Sequence, residues 1–92
     1  MLHANRGFAY TKAGDLERAM RDLDEALRLD PKNAAALVFR ADVFARQGQT
    51  ERAIADLREA LRLAPTRADA REALARLEAR GAGGADSTMR LD

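Results

Sequence analysis

The chain has 92 residues, 16 basic against 15 acidic side chains, a net charge near +1 and no cysteine. That balance gives no electrostatic reason to expect a nucleic-acid or anionic-membrane partner, and it excludes disulfides and thiolate metal sites. Alanine supplies 21 of the hydrophobic residues, too thin an inventory of large apolar side chains for one globular core around a deep pocket. No apolar run reaches the length of a spanning helix and no signal-peptide pattern opens the chain, so the default location is cytoplasmic. Arginine outnumbers lysine 14 to 2, but the arginines alternate with Asp and Glu and read as solvated helix faces.

Helices are expected near 1–13, 16–29, 34–47, 51–63 and 67–80. Leu16, Ala19, Met20, Leu23, Ala26 and Leu27 recur at spacings of three and four, which is one face of a helix; Ile54, Leu57, Ala60 and Leu61 repeat that face. Gly14 and Gly48 mark turns that need positive φ, and Pro31 and Pro65 close the helices before them. Asn33 and Thr66 offer N-cap oxygens, with Asp69 three residues past Thr66 in the manner of a capping box. Gly81-Ala82-Gly83-Gly84 is expected to end the last helix, leaving 81–92 as a flexible tail.

These elements repeat. A shift of 34 residues aligns Glu17-Arg18-Ala19 with Glu51-Arg52-Ala53, Asp22-Leu23 with Asp56-Leu57, and Glu25-Ala26-Leu27-Arg28-Leu29 with Glu59-Ala60-Leu61-Arg62-Leu63. Pro31 falls on Pro65, Gly14 on Gly48 and Arg6 on Arg40. One helix pair cannot cover its own apolar face, so stability has to come from stacking such units.

With Gly7, Tyr10, Ala19, Leu23, Ala26 and Pro31 in the first unit, the sequence resembles the tetratricopeptide repeat of bacterial proteins. The second unit carries Leu37, Ala41, Phe44, Ala53, Leu57, Ala60 and Pro65. The resemblance implies an all-α fold, a right-handed superhelical stack of antiparallel helix pairs (an α-α solenoid) of five helices. Its parts are a first repeat at 1–33, a second at 34–67, a capping helix at 68–80 and the Gly-rich tail at 81–92. His3 stands where a bulky apolar residue is usual, and Arg6 and Arg40 where leucine is common, departures expected to weaken local packing slightly.

The fifth helix has the pattern of a cap. Arg71, Ala75 and Glu78 replace the partner-facing residues Leu37, Ala41 and Phe44, while Ala70, Leu74 and Leu77 keep an apolar face for the preceding pair. At the first end, Leu2, Arg6 and Ala9 have no earlier repeat to cover them. Either this strip is simply exposed, or belongs to a longer array, or it pairs with a second chain as a homodimer.

Catalysis has no candidate residues. The single histidine, His3, and the single serine, Ser87, lie far apart, and the Gly-rich stretch lacks the lysine and hydroxyl of a phosphate cradle. Asp22, Glu25, Asp56 and Glu59 read as outward residues in intrahelical ion pairs. No metal site and no cofactor are expected.

The resemblance places a protein or peptide partner in a concave groove lined by the first helices of successive pairs. Helical spacing assigns to it Asn5, Phe8 and Lys12, then Phe39, Asp42 and Arg46, with Ala73, Arg76 and Arg80 as their equivalents in the cap helix and Arg76 the favoured one of these. Phe8 and Phe39 are either binding anchors or packed against each other. The basic members favour an acidic or C-terminal carboxylate segment. The carboxylate clamp by which some family members grip heat-shock chaperones is incomplete, because Ala35 and Phe39 stand where basic residues are needed. Two functions follow: a non-enzymatic interaction module using the groove, or a self-assembly module using its uncapped first helix.

Overall fold

The computed structural model describes the backbone of residues 2–90 and the side chains of residues 3–80. Five helices follow one another: α1 (Leu2–Ala13), α2 (Leu16–Leu29), α3 (Ala34–Arg46), α4 (Thr50–Leu63) and α5 (Ala68–Arg90). Helix α1 packs on α2, α3 on α4, and each pair on the next element through α2 against α3 and α4 against α5. The result is a stack of antiparallel helix pairs, an α-α solenoid, with no strand among the described residues.

Local chemistry fixes the turns. Gly14 and Gly48 adopt φ of 86° and 78°, the left-handed region that costs glycine nothing. The Asp15 carboxylate caps α2 by accepting from the Arg18 amide at 3.2 Å, and Asn33 caps α3 by accepting from Ala36 at 3.0 Å. Helices α2 and α4 both stop two residues before a proline, which could not continue them. At α5 the expectation is off by one residue. Thr66 lies in the preceding turn and the helix begins at Ala68, so no Thr66–Asp69 capping box forms; Arg67 occupies the position equivalent to Asn33.

The apolar residues divide between two clusters, as the helical faces require. Leu37 and Ala41 pack with Ala53, Leu57 and Ala60 inside the second pair. Ala36 and Val43, on the other side of α3, pack with Ala4, Ala19, Leu23 and Ala26 of the first pair. The buried face of α5, Ala70 and Leu77 with Leu74 beside them, joins the alanines and Leu57 of the second pair, while Arg71, Ala75 and Glu78 are exposed. Leu23 and Leu57, the largest fully buried side chains, occupy equivalent sites in the two pairs. Each contributes about 2 kcal/mol through removal of its surface from water.

Helix α5 also corrects the sequence expectation of a break at Gly81. Its backbone stays helical to Arg90. Glycine lowers helix propensity by about 1 kcal/mol per residue but, unlike proline, keeps its amide and causes no clash. The expected flexibility of 81–92 concerns side chains outside the described residues.

Candidate functional site

Two charged residues per unit, an arginine and an aspartate, do not sit where their polarity suggested. Asp22 and Asp56 are buried, not outward, and each receives an arginine from the other helix of its pair. Arg6 donates through Nε and Nη2 to the two Asp22 oxygens, both at 2.8 Å. Arg40 does the same to Asp56 at 2.7 and 2.9 Å. The planar guanidinium matches a carboxylate two bonds at a time, so each pair locks the relative position of two helices. Arg6 and Arg40 are therefore packing elements, not weak points. Glu25 and Glu59 do form the expected intrahelical pairs, with Arg28 and Arg62.

The two staples differ in their surroundings. Arg40 has a third bond, from Nη1 to Asp24 of α2 at 3.0 Å, which ties the second pair to the first. Its side chain is 26% exposed, against 49% for Arg6. Hydrogen bonding to Asp56, above all, raises the Arg40 pKa further above its ordinary value; burial opposes this and Asp24 adds to it. In the first pair the Arg6 hydrogen bonds hold the Asp22 carboxyl below its usual range against the opposing effect of burial, with His3 contributing a smaller pull.

The groove forms on the opposite side of α1 and α3, where they meet α5. It measures about 440 Å3 and is lined by Phe8, Lys12, Val38, Phe39, Ala41, Asp42, Ala45, Leu57, Asp69, Ala73, Arg76, Leu77 and Arg80. The first-helix spacing thus brings Phe8, Lys12, Phe39, Asp42 and Arg76 together. Asn5 and Arg46 are exposed but outside the lining, and Arg46 folds back along α3 onto Asp42 at 3.3 Å. Arg80 and Ala73, which the helical spacing also assigns to this face, line the wall, and Asp69 at the start of α5 is a lining residue that the spacing did not point to.

Phe8 and Phe39 meet with ring centroids 4.7 Å apart and planes tilted by 37°. They pack against each other and still face the groove, since Phe8 remains 39% exposed. Lys12 sits 5.3 Å above the Phe8 ring, a cation–π contact that holds the ammonium at the rim. Lys12, Arg76 and Arg80 outnumber Asp42 and Asp69, so the groove is mildly basic with an aromatic floor.

Of the uncapped strip, Arg6 and Ala9 are exposed at the outer face of α1, and the side chain of Leu2 lies outside the described residues. Among the described residues no three His, Cys, Asp or Glu side chains gather as a metal ion would require. No described helix is long and apolar enough to cross a membrane.

Comparisons with known proteins agree with this architecture. No curated protein matches the chain. Among solved structures it is similar to the TPR domain of Arabidopsis OM64, with 31% identity and a TM-score of 0.78 over 82% of this chain and 62% of that one. It is also similar to part of the UNC-45 chaperone, whose structure is described for its binding and folding of muscle myosin. There the identity is 34% and the TM-score 0.81, over 96% of this chain and 10% of that one. This chain therefore spans under two thirds of the first and a small part of the second. The family description "Tetratricopeptide repeat" matches residues 5–68. The period, the stacked helix pairs and this match agree: the chain belongs to the tetratricopeptide repeat family, an interaction fold whose members bind protein partners.

Proposed function

We propose that the groove binds a segment of a partner protein, and that the segment carries an apolar side chain and an acidic group. The observation that carries this reading is the half-exposed Phe8 on Phe39, set in a groove whose cations outnumber its acids. Aromatic side chains already held by a neighbour lose little freedom on binding, which makes them good anchors. Lys12, Arg76 and Arg80 supply charge complementarity, which sets orientation and association rate more than affinity. The function is non-catalytic: the groove's titratable groups are lysine, arginine and aspartate, without a nucleophile beside a base, and no cofactor enters the mechanism.

The likeness to the OM64 TPR domain and to part of the UNC-45 chaperone supports protein binding in general. It does not extend to the carboxylate clamp, because Ala35 and Phe39 fill the positions that would carry its cations and Asn5 lies outside the groove lining.

The test is affinity capture from the native cell with mass-spectrometric identification, comparing the natural chain with Phe8→Ala and with Arg76→Glu/Arg80→Glu. Proteins lost with both variants are groove ligands. Capture unchanged by either would refute the reading. The alternative function, homodimerisation through Leu2, Arg6 and Ala9, has its own readout: light scattering would show twice the monomer mass, and Leu2→Glu would restore the monomer.

A further inference from the structure

A second opening lies at the outer end of the first pair, remote from the groove. It measures about 290 Å3 and is lined by Arg6, Tyr10, Arg18, Arg21 and Asp22. The 34-residue period assigns each of these a counterpart in the second pair: Arg40, Phe44, Arg52, Ala55 and Asp56. There Arg40 is closed over by α2, whose Asp24 accepts from its Nη1 at 3.0 Å. At Arg6 the Nε and Nη2 groups are used on Asp22 in the same way, and Nη1 has no acceptor among the described residues. The first pair thus presents an open copy of a seat that the second pair shows filled, and the filling group is an aspartate on a helix.

We propose that this opening is a docking site for an acidic helix of another protein, one that presents an aspartate or glutamate to Arg6 as α2 presents Asp24 to Arg40. Ala9, exposed on the same face of α1, occupies the register of Val43, which packs on the first pair. The partner helix therefore brings small or aliphatic residues beside its acid. Arg21 replaces Ala55 and adds a cation that the filled seat lacks. Arg18 and Arg21 are only loosely held, with Asp15 at 3.4 Å and Glu17 at 3.6 Å, and can turn toward a second acidic group.

A second copy of the chain does not supply this chemistry. Head to tail, its last complete pair would offer Arg58 in the place of Asp24, and Arg58 is already paired with Glu78 at 2.7 Å on α5, which covers that end. Face to face, Arg6 would meet Arg6. Both arrangements oppose like charges.

The probe is a synthetic peptide of residues 15–31, the helix that fills the equivalent seat, added to the isotopically labelled full chain and followed by NMR. Binding should shift the Arg6 Nε–H signal and the α1 amides near Ala9, saturably, while the Phe8 ring signals stay in place. An Asp24→Asn peptide should bind at least fivefold more weakly, and Arg6→Gln in the full chain should do the same to the natural peptide. Circular dichroism of Arg6→Gln separates lost binding from lost fold, and Arg21→Ala, which leaves the Asp22 staple intact, should weaken binding by a smaller factor. Equal affinity of the two peptides, or shifts confined to the groove, would overturn the proposal. So would equal Arg6 shifts with inorganic phosphate at the peptide's concentration, which would make the seat a simple anion site. Dimerisation of the free chain through α1, detected by sedimentation, would overturn it in favour of self-association.

Discussion

The two helix pairs are built on one pattern and stabilised unequally. Both carry an arginine eight residues before a turn glycine and an aspartate eight residues after it, which cross-link the antiparallel helices. In the second pair that arginine is held between two acids from different helices. In the first it has one acid and an open side. A further difference lies one residue on: the first pair has Gly7 where the second has Ala41. Identical local rules thus give an inner unit that is braced from both sides and an outer one that is braced from one. The difference is in the neighbours, and it turns a packing device into an available surface.

The largest effect expected from breaking this comparison is at Arg40. Arg40→Ala strands the buried Asp56 carboxylate and cuts the tie to Asp24. Removing one member of a fully buried pair costs about 3–5 kcal/mol; the residual exposure of Arg40 brings the expectation down to about 2 kcal/mol, read as a lower urea midpoint. Arg6→Ala should cost clearly less, because water can reach what it leaves behind. Equal losses at the two positions would show that Asp24 adds nothing.

Next comes the glycine. A Cβ on Gly7 would lie 2.7 Å from Leu23 Cγ and 3.3 Å from the Ala19 carbonyl oxygen. Gly7→Ala therefore trades a gain in helix propensity against overpacking, and should destabilise by about 1–2 kcal/mol. Ala41→Gly, at the equivalent site, should destabilise for the opposite reason, by lost propensity and lost contact. If Gly7→Ala were neutral or stabilising, the close approach of α1 and α2 would not depend on the glycine.

Acid titration gives a smaller contrast. The Asp22 carboxyl is held below its ordinary pKa of 3.8 by Arg6. A depressed carboxylate contributes stability that is fully present above the unfolded-state value and is lost as pH falls through the folded one. The natural chain should lose stability as pH drops below about 4. Asp22→Asn, already weakened at neutral pH, should show a shallower loss over that window. An unchanged slope would assign the acid sensitivity to other carboxylates, with Glu25 and Glu59, both held low by their arginines, the next to examine.

Much of this architecture is legible in the sequence. The period, the turn glycines, the closing prolines and the partner-facing side of α3 follow from residue spacing alone, because each depends on local sequence and helical geometry. The Arg–Asp staples were misassigned because a charged residue in a helix reads by default as solvated, and only the hairpin register brings Arg6 opposite Asp22. The signal was nonetheless present: both residues recur one period later, at the same distances from the turn. The groove was legible for Phe8, Phe39 and Arg76, which share one helical face. Asp69 escaped because the start of α5 moved with the missing capping box, and Arg46 because its nearest opposite charge lies on its own helix.

The smallest expected effect concerns the two halves of α5. Its first half is fixed by Ala70, Leu74 and Leu77 against the second pair. Its second half contains Gly81, Gly83 and Gly84, each disfavouring the helix by about 1 kcal/mol relative to alanine. A helical extension with that composition persists only where something outside the helix compensates. Ending the chain after Arg80 should therefore change global stability by less than about 0.5 kcal/mol. Amide exchange at 82–90 should be fast, while the amides near Leu74 and Leu77 exchange only with global unfolding. A loss above about 1 kcal/mol on truncation, or protection extending past Gly84, would show that the second half packs as the first does. The cap would then be a longer element than its apolar face suggests.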